Sequence, residues 1–502
     1  LSRRYVVETT PLEAEDRTLY EALAGRLCDR ILEGTLKAGD RTPSIRRLSR
    51  QFSVSKTTVR RALQLLEDRG LVEARDRSGY YVRPERLRRP SAGFTVPEEE
   101  GGGADSIRTR LVGSEDLHVR MIAHANVRQS IQLGAAIPCA EFLPTERLAR
   151  ILSRVSRERP RQSVAYTVSP GAPELRRHIA RRAVDAGLTL SADDVVITNG
   201  ATEAVSLSLR AICGNEGIVA VESPTYYGFL ELLDELGLDA LEIDTDPSSG
   251  MKVDALRDAL DKGVDISAVL LVSNGSNPLG SVMPDEKKAE LARVCAAYDV
   301  PIVEDDIYGE LHFGPRRPLS IGAFSDEVDV VWCGSFSKSL APGWRVGWVA
   351  PGDYIEDVVK LQTTTTFAPA TPTQLAVAEY LASGGFDRHL GRLRRRFSEN
   401  VERISDVVLE HFPDGTTPTQ PRAGHVLWVR LPATVSALEL TRRAQEHGVS
   451  IAPGPLFSAT GAHRSCIRLN CAVDLDARIV GGLKTVGQLA CELSNHAPVR
   501  TD

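Results

Sequence analysis

No apolar run in this 502-residue chain approaches the roughly 18 residues that a membrane-crossing helix needs, which excludes a helical span. The first ten residues, LSRRYVVETT, lack the apolar core of a secretory signal, so the chain is expected to be soluble and cytoplasmic, with no membrane partner. The eight cysteines, at 28, 139, 213, 295, 333, 466, 471 and 491, never form a CxxC pair. That spacing excludes a paired-cysteine zinc site or a dithiol redox centre, and it predicts reduced, mostly buried thiols and no metal. Methionine is scarce, three in all, and residue 1 is leucine, which puts the natural start upstream or at a non-Met codon. What is there, 42% hydrophobic and 25% charged residues over this length, suffices for two or three domains with real cores.

Charge is unevenly placed. The formal net charge is −6, yet residues 1–90 carry 20 Lys+Arg against 13 Asp+Glu, a net of +7 that leaves −13 for the remainder. An anionic partner would dock at the basic end. There, Leu19, Leu23, Leu27 and Ile31 recur every four residues along one helical face, and Gly34 ends that helix. Ser44 then caps a short helix, SIRRLSRQF, and Ser55 a longer one, SKTTVRRALQLLEDRG, with Val54 in the tight turn between them. Two helices so joined make a helix-turn-helix. The second presents Lys56, Thr57, Thr58, Arg60 and Arg61 in its first turns, where phosphates and base edges can be met together. LVEARDRSGYYV at 71–82 reads as a two-stranded wing turning at Ser78 and Gly79.

The stretch PSIRRLSRQFSVSKTTVRRALQLLEDRGLVEARDRSGYYV resembles the winged domain of GntR-type regulators along its whole length. The resemblance implies an α+β winged helix-turn-helix over 11–84 that binds a double-stranded DNA operator through Arg46, Ser55, Lys56, Thr57, Thr58, Arg60 and Gly79. Thr42 stands where that family usually has leucine, which predicts looser local packing. Residues 85–110 have no apolar period and pass from basic PERLRRPS through VPEEE to GGGADS, the composition of a mobile linker.

Beyond residue 190, short β-rich runs (VVIT, IVAVES, AVLLVSN, PIVEDD, VVWCGSFS, RVGWV) alternate with helical stretches, predicting a doubly covered, mainly parallel α/β sheet with ligand groups at the strand ends. The segments after these strands supply what one phosphorylated pyridine aldehyde would need. Gly200, Ala201 and Thr202 open a helix whose free N–H groups favour a phosphate, though ordinary helix caps look the same. Tyr226 can stack on a flat ring or simply pack, and Asn277 can donate to a phenolate oxygen or simply make an Asn-Pro turn. In VEDDIYGE, a carboxylate on a buried strand needs a partner, and a protonated pyridine nitrogen would pair Asp305, with Tyr308 reaching the phenolate. Glu304 and Asp306 alternate to the other face and read as structural. SFSKSLAPGWRVGW is the strongest element: Lys338 for a Schiff base, Ser335 and Ser337 as hydroxyls, and Arg345 to clamp a phosphate. Burial and neighbouring cations should lower the pKa of that lysine.

Residues 131–475 resemble class I aminotransferases of the fold-type-I pyridoxal-phosphate group, with the motifs in order. The resemblance implies an α/β PLP-dependent transferase fold over 111–497, a large sheet domain plus a smaller α/β domain. It assigns Lys338 as the catalytic Schiff-base lysine of pyridoxal 5'-phosphate, Asp305 to the pyridine nitrogen, Asn277 and Tyr308 to the phenolate oxygen, and Tyr226 to stacking. Ala201, Thr202, Ser335, Ser337 and Arg345 then hold phosphate, Tyr166 in YTVSPGAPELRRHI reaches the neighbouring subunit's phosphate, and Arg468 in CIRLNCA binds a substrate carboxylate. NGATEA lacks the usual glutamine and GSNPLG the usual aromatic or histidine before Asn277; both changes face the substrate side.

From about residue 18 to 490 the combination resembles the MocR subfamily of GntR regulators. That implies a multidomain, head-to-tail homodimeric transcription factor sensing pyridoxal phosphate or its adduct with an amino-acid or amine effector. The alternatives are a working transaminase carrying an accessory DNA-binding domain, and a cofactor-free scaffold.

Overall fold

The computed structural model describes residues 130–495 continuously and, before them, a discontinuous set between Leu19 and Val82 that includes 54–68, 72–75 and 79–82. The chain divides into two compact units, Leu1–Gly102 and Gly103–Asp502.

In the first unit, helix α1 (Lys56–Asp68) starts where Ser55 Oγ accepts the Thr58 N–H at 3.0 Å, the expected N-cap. Its apolar positions Val59, Ala62, Leu63 and Leu66 follow helical spacing, and all are buried against Leu23, Leu27, Leu48, Phe52, Val72 and Val82. Each large side chain so buried is worth about 1.5–3 kcal/mol, which is what ties a short polar helix to its unit. Strands β1 (Val72–Arg75) and β2 (Gly79–Val82) pair antiparallel as the wing. Thr42 is buried, and its backbone N–H donates to the Tyr80 carbonyl at 2.9 Å, as any residue but proline would there, while its hydroxyl adds a second bond to the same oxygen at 3.2 Å that leucine could not make. Leu19 is exposed although it continues the apolar stripe of Leu23 and Leu27; Ile31, Gly34 and Ser44 lie outside the described residues, as does the segment 83–129.

The second unit begins with β3 (Ile131–Gln132) and carries an eight-stranded sheet built from β4 (Val196–Thr198), β5 (Ile218–Ser223), β6 (Asp239–Asp246), β7 (Gly250–Met251), β8 (Ile266–Leu271), β9 (Ile302–Asp305), β10 (Val330–Ser335) and β11 (Gly347–Ala350), in spatial order β4-β11-β10-β9-β8-β5-β6-β7. The pairings from β10 to β6 are parallel. RVGWV, which the alternation of strands and helices does not distinguish from the rest, runs antiparallel to both neighbours. The reason is the connection: between Ser335 and Gly347 only a single 3₁₀ turn intervenes, too little chain for the crossover that a parallel neighbour requires. Because β11 opposes both β10 and β4, those two run the same way. The C-terminal ends of β4, β5, β8, β9 and β10, and the start of β11, therefore share one edge of the sheet.

Helix α2 (Ala201–Cys213) leaves that edge after β4, and α3 (Tyr227–Leu236) leaves it after β5. A smaller α/β layer follows the long helix α4 (Gly385–His411): β12 (Thr417–Pro418), β13 (Val426–Arg430), β15 (Ala452–Pro453) and β16 (Cys466–Asn470) form an antiparallel sheet, while β14 (Val449–Ser450) pairs with β3. Its separate core includes Leu427, Val429, Ile467, Leu469 and Leu483. Among the described residues every cysteine is unpaired, no cluster of metal-ligating side chains occurs, and no helix is long and apolar enough to cross a membrane.

Candidate functional site

The shared sheet edge gathers side chains that the sequence scatters from Ala201 to Arg468. At its floor stands the acidic run of β9. Glu304 accepts from the hydroxyls of Ser273 and Ser320 and from the Ile321 N–H at 3.1 Å. Asp306 pairs with Arg317 and accepts from Trp332 Nε1 at 2.9 Å and Asn274 Nδ2 at 3.2 Å. Asp305 points the other way, as strand alternation requires, and its buried Oδ1 has no donor. Burial, with Asp306 beside it, pushes its carboxyl up to about 7. The Ile307 N–H serves the rest of the carboxylate, but a buried oxygen left without a donor costs on the order of 1–3 kcal/mol, which marks Oδ1 as awaiting a partner.

Opposite it, β10 ends at Ser335 and turns through Lys338, whose Nζ donates to the Ala136 carbonyl at 2.6 Å. Burial and the Arg468 guanidinium, with Arg345 adding to them, push the lysine down to about 8 against the pull of Asp305. The Ala136 contact has no sequence signal, since it comes from a main-chain oxygen.

A second corner is built for an anion. Arg345 has a left-handed backbone (φ 53), rare for a residue with a side chain, and this turns its guanidinium back toward α2. There it donates to the Asn199 carbonyl at 2.8 Å and to Ser337 Oγ at 3.3 Å, while Ser335 Oγ accepts the Ser337 N–H at 2.9 Å. Gly200, itself at φ +89, lets the guanidinium in: a Cβ there would lie 2.4 Å from Arg345 Nη2. Ala201 is buried and Thr202 exposed at the first turn of α2, whose N–H groups open onto this corner.

Two further walls come from loops and from the smaller layer. Arg468, on β16, is fully buried; it donates to Asn277 Oδ1 at 3.1 Å and to the Gly134 carbonyl, and its Nε has no partner. Tyr226 is half-buried and its ring lies 4.8 Å from that of Tyr227. Tyr308 is buried, and burial raises its phenol. His425, which the sequence offered only as one histidine in AGHVLW, packs edge-on against Tyr308 at 5.4 Å and shares Asn470 Oδ1 at 3.1 Å. Burial and the charge of Lys338 push it down to about 3, so it is neutral. Tyr166 stands apart: it is 78% exposed, its ring against Phe367 at 5.0 Å, near exposed Val164 and Val168. The structure thus brings together Ala201, Asn277, Asp305, Tyr308, Ser335, Ser337, Lys338, Arg345 and Arg468, with Tyr226 at the rim.

In the first unit, Lys56, Thr57 and Arg60 are exposed on α1, Gly79 opens β2, and the hydroxyls of Ser55 and Thr58 bond each other at 2.8 Å. Arg61 is partly committed elsewhere, lying over the Tyr20 ring at 4.7 Å. Arg46 lies outside the described residues.

Residues 135–478 match the family model for aminotransferase class I and II, and residues 19–82 that for bacterial regulatory proteins of the gntR family. The chain is 36% identical over 471 residues to the uncharacterized HTH-type transcriptional regulator YjiR of Escherichia coli, covering 94% of this chain and 98% of that protein. It is 26% identical over 443 residues to the probable rhizopine catabolism regulatory protein MocR of Rhizobium meliloti, covering 87% and 86%. The second unit resembles the crystal structure of LysN, an α-aminoadipate aminotransferase from Thermus thermophilus complexed with N-(5'-phosphopyridoxyl)-L-leucine (TM-score 0.68, 26% identity, 76% of this chain and 99% of that one).

Proposed function

The chain belongs to the aminotransferase class I and II family, in the MocR-type arrangement with a gntR-family unit ahead of it, and from that premise we propose that it is a DNA-binding transcriptional regulator whose body binds pyridoxal 5'-phosphate and responds to an amino acid. The observation that carries this reading is the buried, donor-less Asp305 oxygen facing a depressed lysine, on the same chain as an exposed basic helix. A protonated pyridine nitrogen is the donor that Asp305 lacks, and the Arg345, Ser337 and Gly200 corner suits a phosphate, so the residues fit the cofactor.

When bound, pyridoxal phosphate supplies an electrophilic aldehyde and an electron-withdrawing ring. Lys338, at about 8, keeps an appreciable neutral fraction near neutrality and so serves as the nucleophile. Tyr308 and Asn277 hold the phenolate side, Tyr226 covers the ring face, Ala201, Thr202, Ser335, Ser337 and Arg345 take the phosphate, and buried Arg468 selects ligands with a carboxylate. A second copy, placed head to tail, covers the exposed Tyr166, Val164 and Phe367 and brings Tyr166 to the neighbouring phosphate. The domain limits, 11–84, a linker at 85–110 and a body at 111–497, belong to the same reading. Ligand alters DNA retention only if two dimer arrangements bind it with different affinity.

The test is a visible-absorbance titration of the full chain with pyridoxal phosphate and then with a panel of amino acids, with Lys338→Ala as control. A new visible band lost in Lys338→Ala, shifted but persistent with amino acid, is the expected result; no band would end the cofactor reading. Conversion to the pyridoxamine form would favour the second reading, a working aminotransferase, which the completeness of the lysine, aspartate and arginine set keeps open.

A further inference from the structure

We propose that the aminotransferase-like unit carries its own contact for duplex DNA, an arginine face built where the helices Thr145–Glu158, Pro173–Ala183 and Gly385–His411 meet. The proposal rests on the DNA-regulator reading above and extends it to a surface outside the gntR-family unit.

Residues 145–183 contain ten arginines against three acidic residues, and 385–396 five against one, in a part of the chain whose net charge beyond residue 90 is −13. All these cations are arginine, whose planar fork suits phosphate oxygens, and neither segment contains a lysine. On the first helix Arg147, Arg150, Arg154 and Arg157 are spaced three, four and three apart, a single helical stripe.

The three helices converge rather than carry separate charged faces. Arg147 donates to Ser383 Oγ at 2.9 Å, just before the long helix, and lies over the Tyr380 ring at 5.1 Å. Arg182 joins the second helix to the long one through Asp387 at 2.8 Å. Arg147, Arg392 and Arg388 all act on the Tyr380 phenol, and Arg181, Arg177 and Arg182 all act on His178, so the cations crowd one another.

Part of the face is neutralised internally, by Arg154 with Glu379 and Arg182 with Glu310. Among the described residues, however, exposed Arg150, Arg157, Arg177, Arg181, Arg388 and Arg392 have no carboxylate within ion-pair distance. Arg150 and Arg157 reach only carbonyls one turn back in their own helix. Unpaired like charges repel, and a polyanion relieves that repulsion while releasing its own counterions. The 14-residue helix is about 21 Å long, enough to follow several phosphates of a duplex.

The experiment measures binding of the full chain to a fluorescent 30-base-pair duplex of arbitrary sequence as a function of KCl. Arg150→Gln/Arg157→Gln/Arg392→Gln should lose about tenfold or more in affinity at low salt, and its log–log salt slope should fall by about 2.7, roughly 0.9 for each lost phosphate contact. The corresponding lysine triple should keep most of the slope, which separates charge from folding, and an unchanged cofactor band should report an intact body. Wild-type affinity and slope in the glutamine triple would overturn the proposal, as would a loss seen only with heparin or anionic vesicles. Lys56→Ala/Arg60→Ala examines the α1 reading separately: if it alone has no effect, that docking model fails and the arginine face stands. A wild-type chain that binds no duplex at any salt would end both.

Discussion

The exposed face of α1 and the buried edge of the large sheet both depend on cationic side chains, but they use opposite physics. On α1, Lys56 and Arg60 are exposed, so they act by number and spacing on a polyanion and are weakened by salt. At the sheet edge burial alters the chemistry itself: Lys338 falls to about 8, Asp305 rises to about 7 and His425 falls to about 3. The lesson is that a surface cation can be read from its neighbours in sequence, whereas a buried one takes its properties from residues far away in the chain.

That contrast can be broken by experiment. Arg345→Ala removes a charge-assisted clamp and should weaken pyridoxal phosphate by about 100-fold, roughly 2.7 kcal/mol, with little change in Tm. Normal cofactor affinity would show that the corner at Gly200 holds no phosphate. The rate of cofactor loading should rise with pH because only neutral Lys338 reacts. It should climb about tenfold per unit below a pKa of about 8 and level off above it. A profile still rising at pH 10 would mean that burial does not depress this lysine. Arg60→Ala should lower operator affinity roughly fivefold, through lost phosphate contact, with the cofactor spectrum unchanged. Unchanged operator binding would sink the docking of α1. Smallest, Ser55→Ala removes the N-cap of α1 and should cost about 1 kcal/mol of stability in the first unit alone. A fall in the stability of the second unit in calorimetry would show that the two units do not unfold separately.

Much of the site was legible because its motifs are local. Ser335, Ser337, Lys338 and Arg345 lie within one turn-rich segment, and strand alternation together with the aminotransferase resemblance preferred Asp305 to Glu304 and Asp306. The structure supplies the reason for that preference, since both neighbours are satisfied by Ser273, Ser320, Trp332 and Arg317. The antiparallel direction of β11 was not legible, because a strand's residues record its burial but not its direction. Nor was the fastening of β2 by Thr42, which depends on a carbonyl 38 residues away.

Short-range pattern alone separates the two kinds of unit, the helix with its Ser55 cap and basic outer face, the order of the strands' ligand-bearing ends, and Lys338 as a lysine at the end of an apolar strand. These follow from short-range rules of periodicity, capping and side-chain chemistry. Tertiary packing supplies the rest: Lys338 rests on Ala136, His425 stands neutral behind Tyr308, Arg345 reaches past Gly200, and Arg147 and Arg182 from two other helices both reach the start of α4. Desolvation, an unsatisfied oxygen and the crowding of like charges are properties of atoms brought together in space, and no segment of the chain contains them alone.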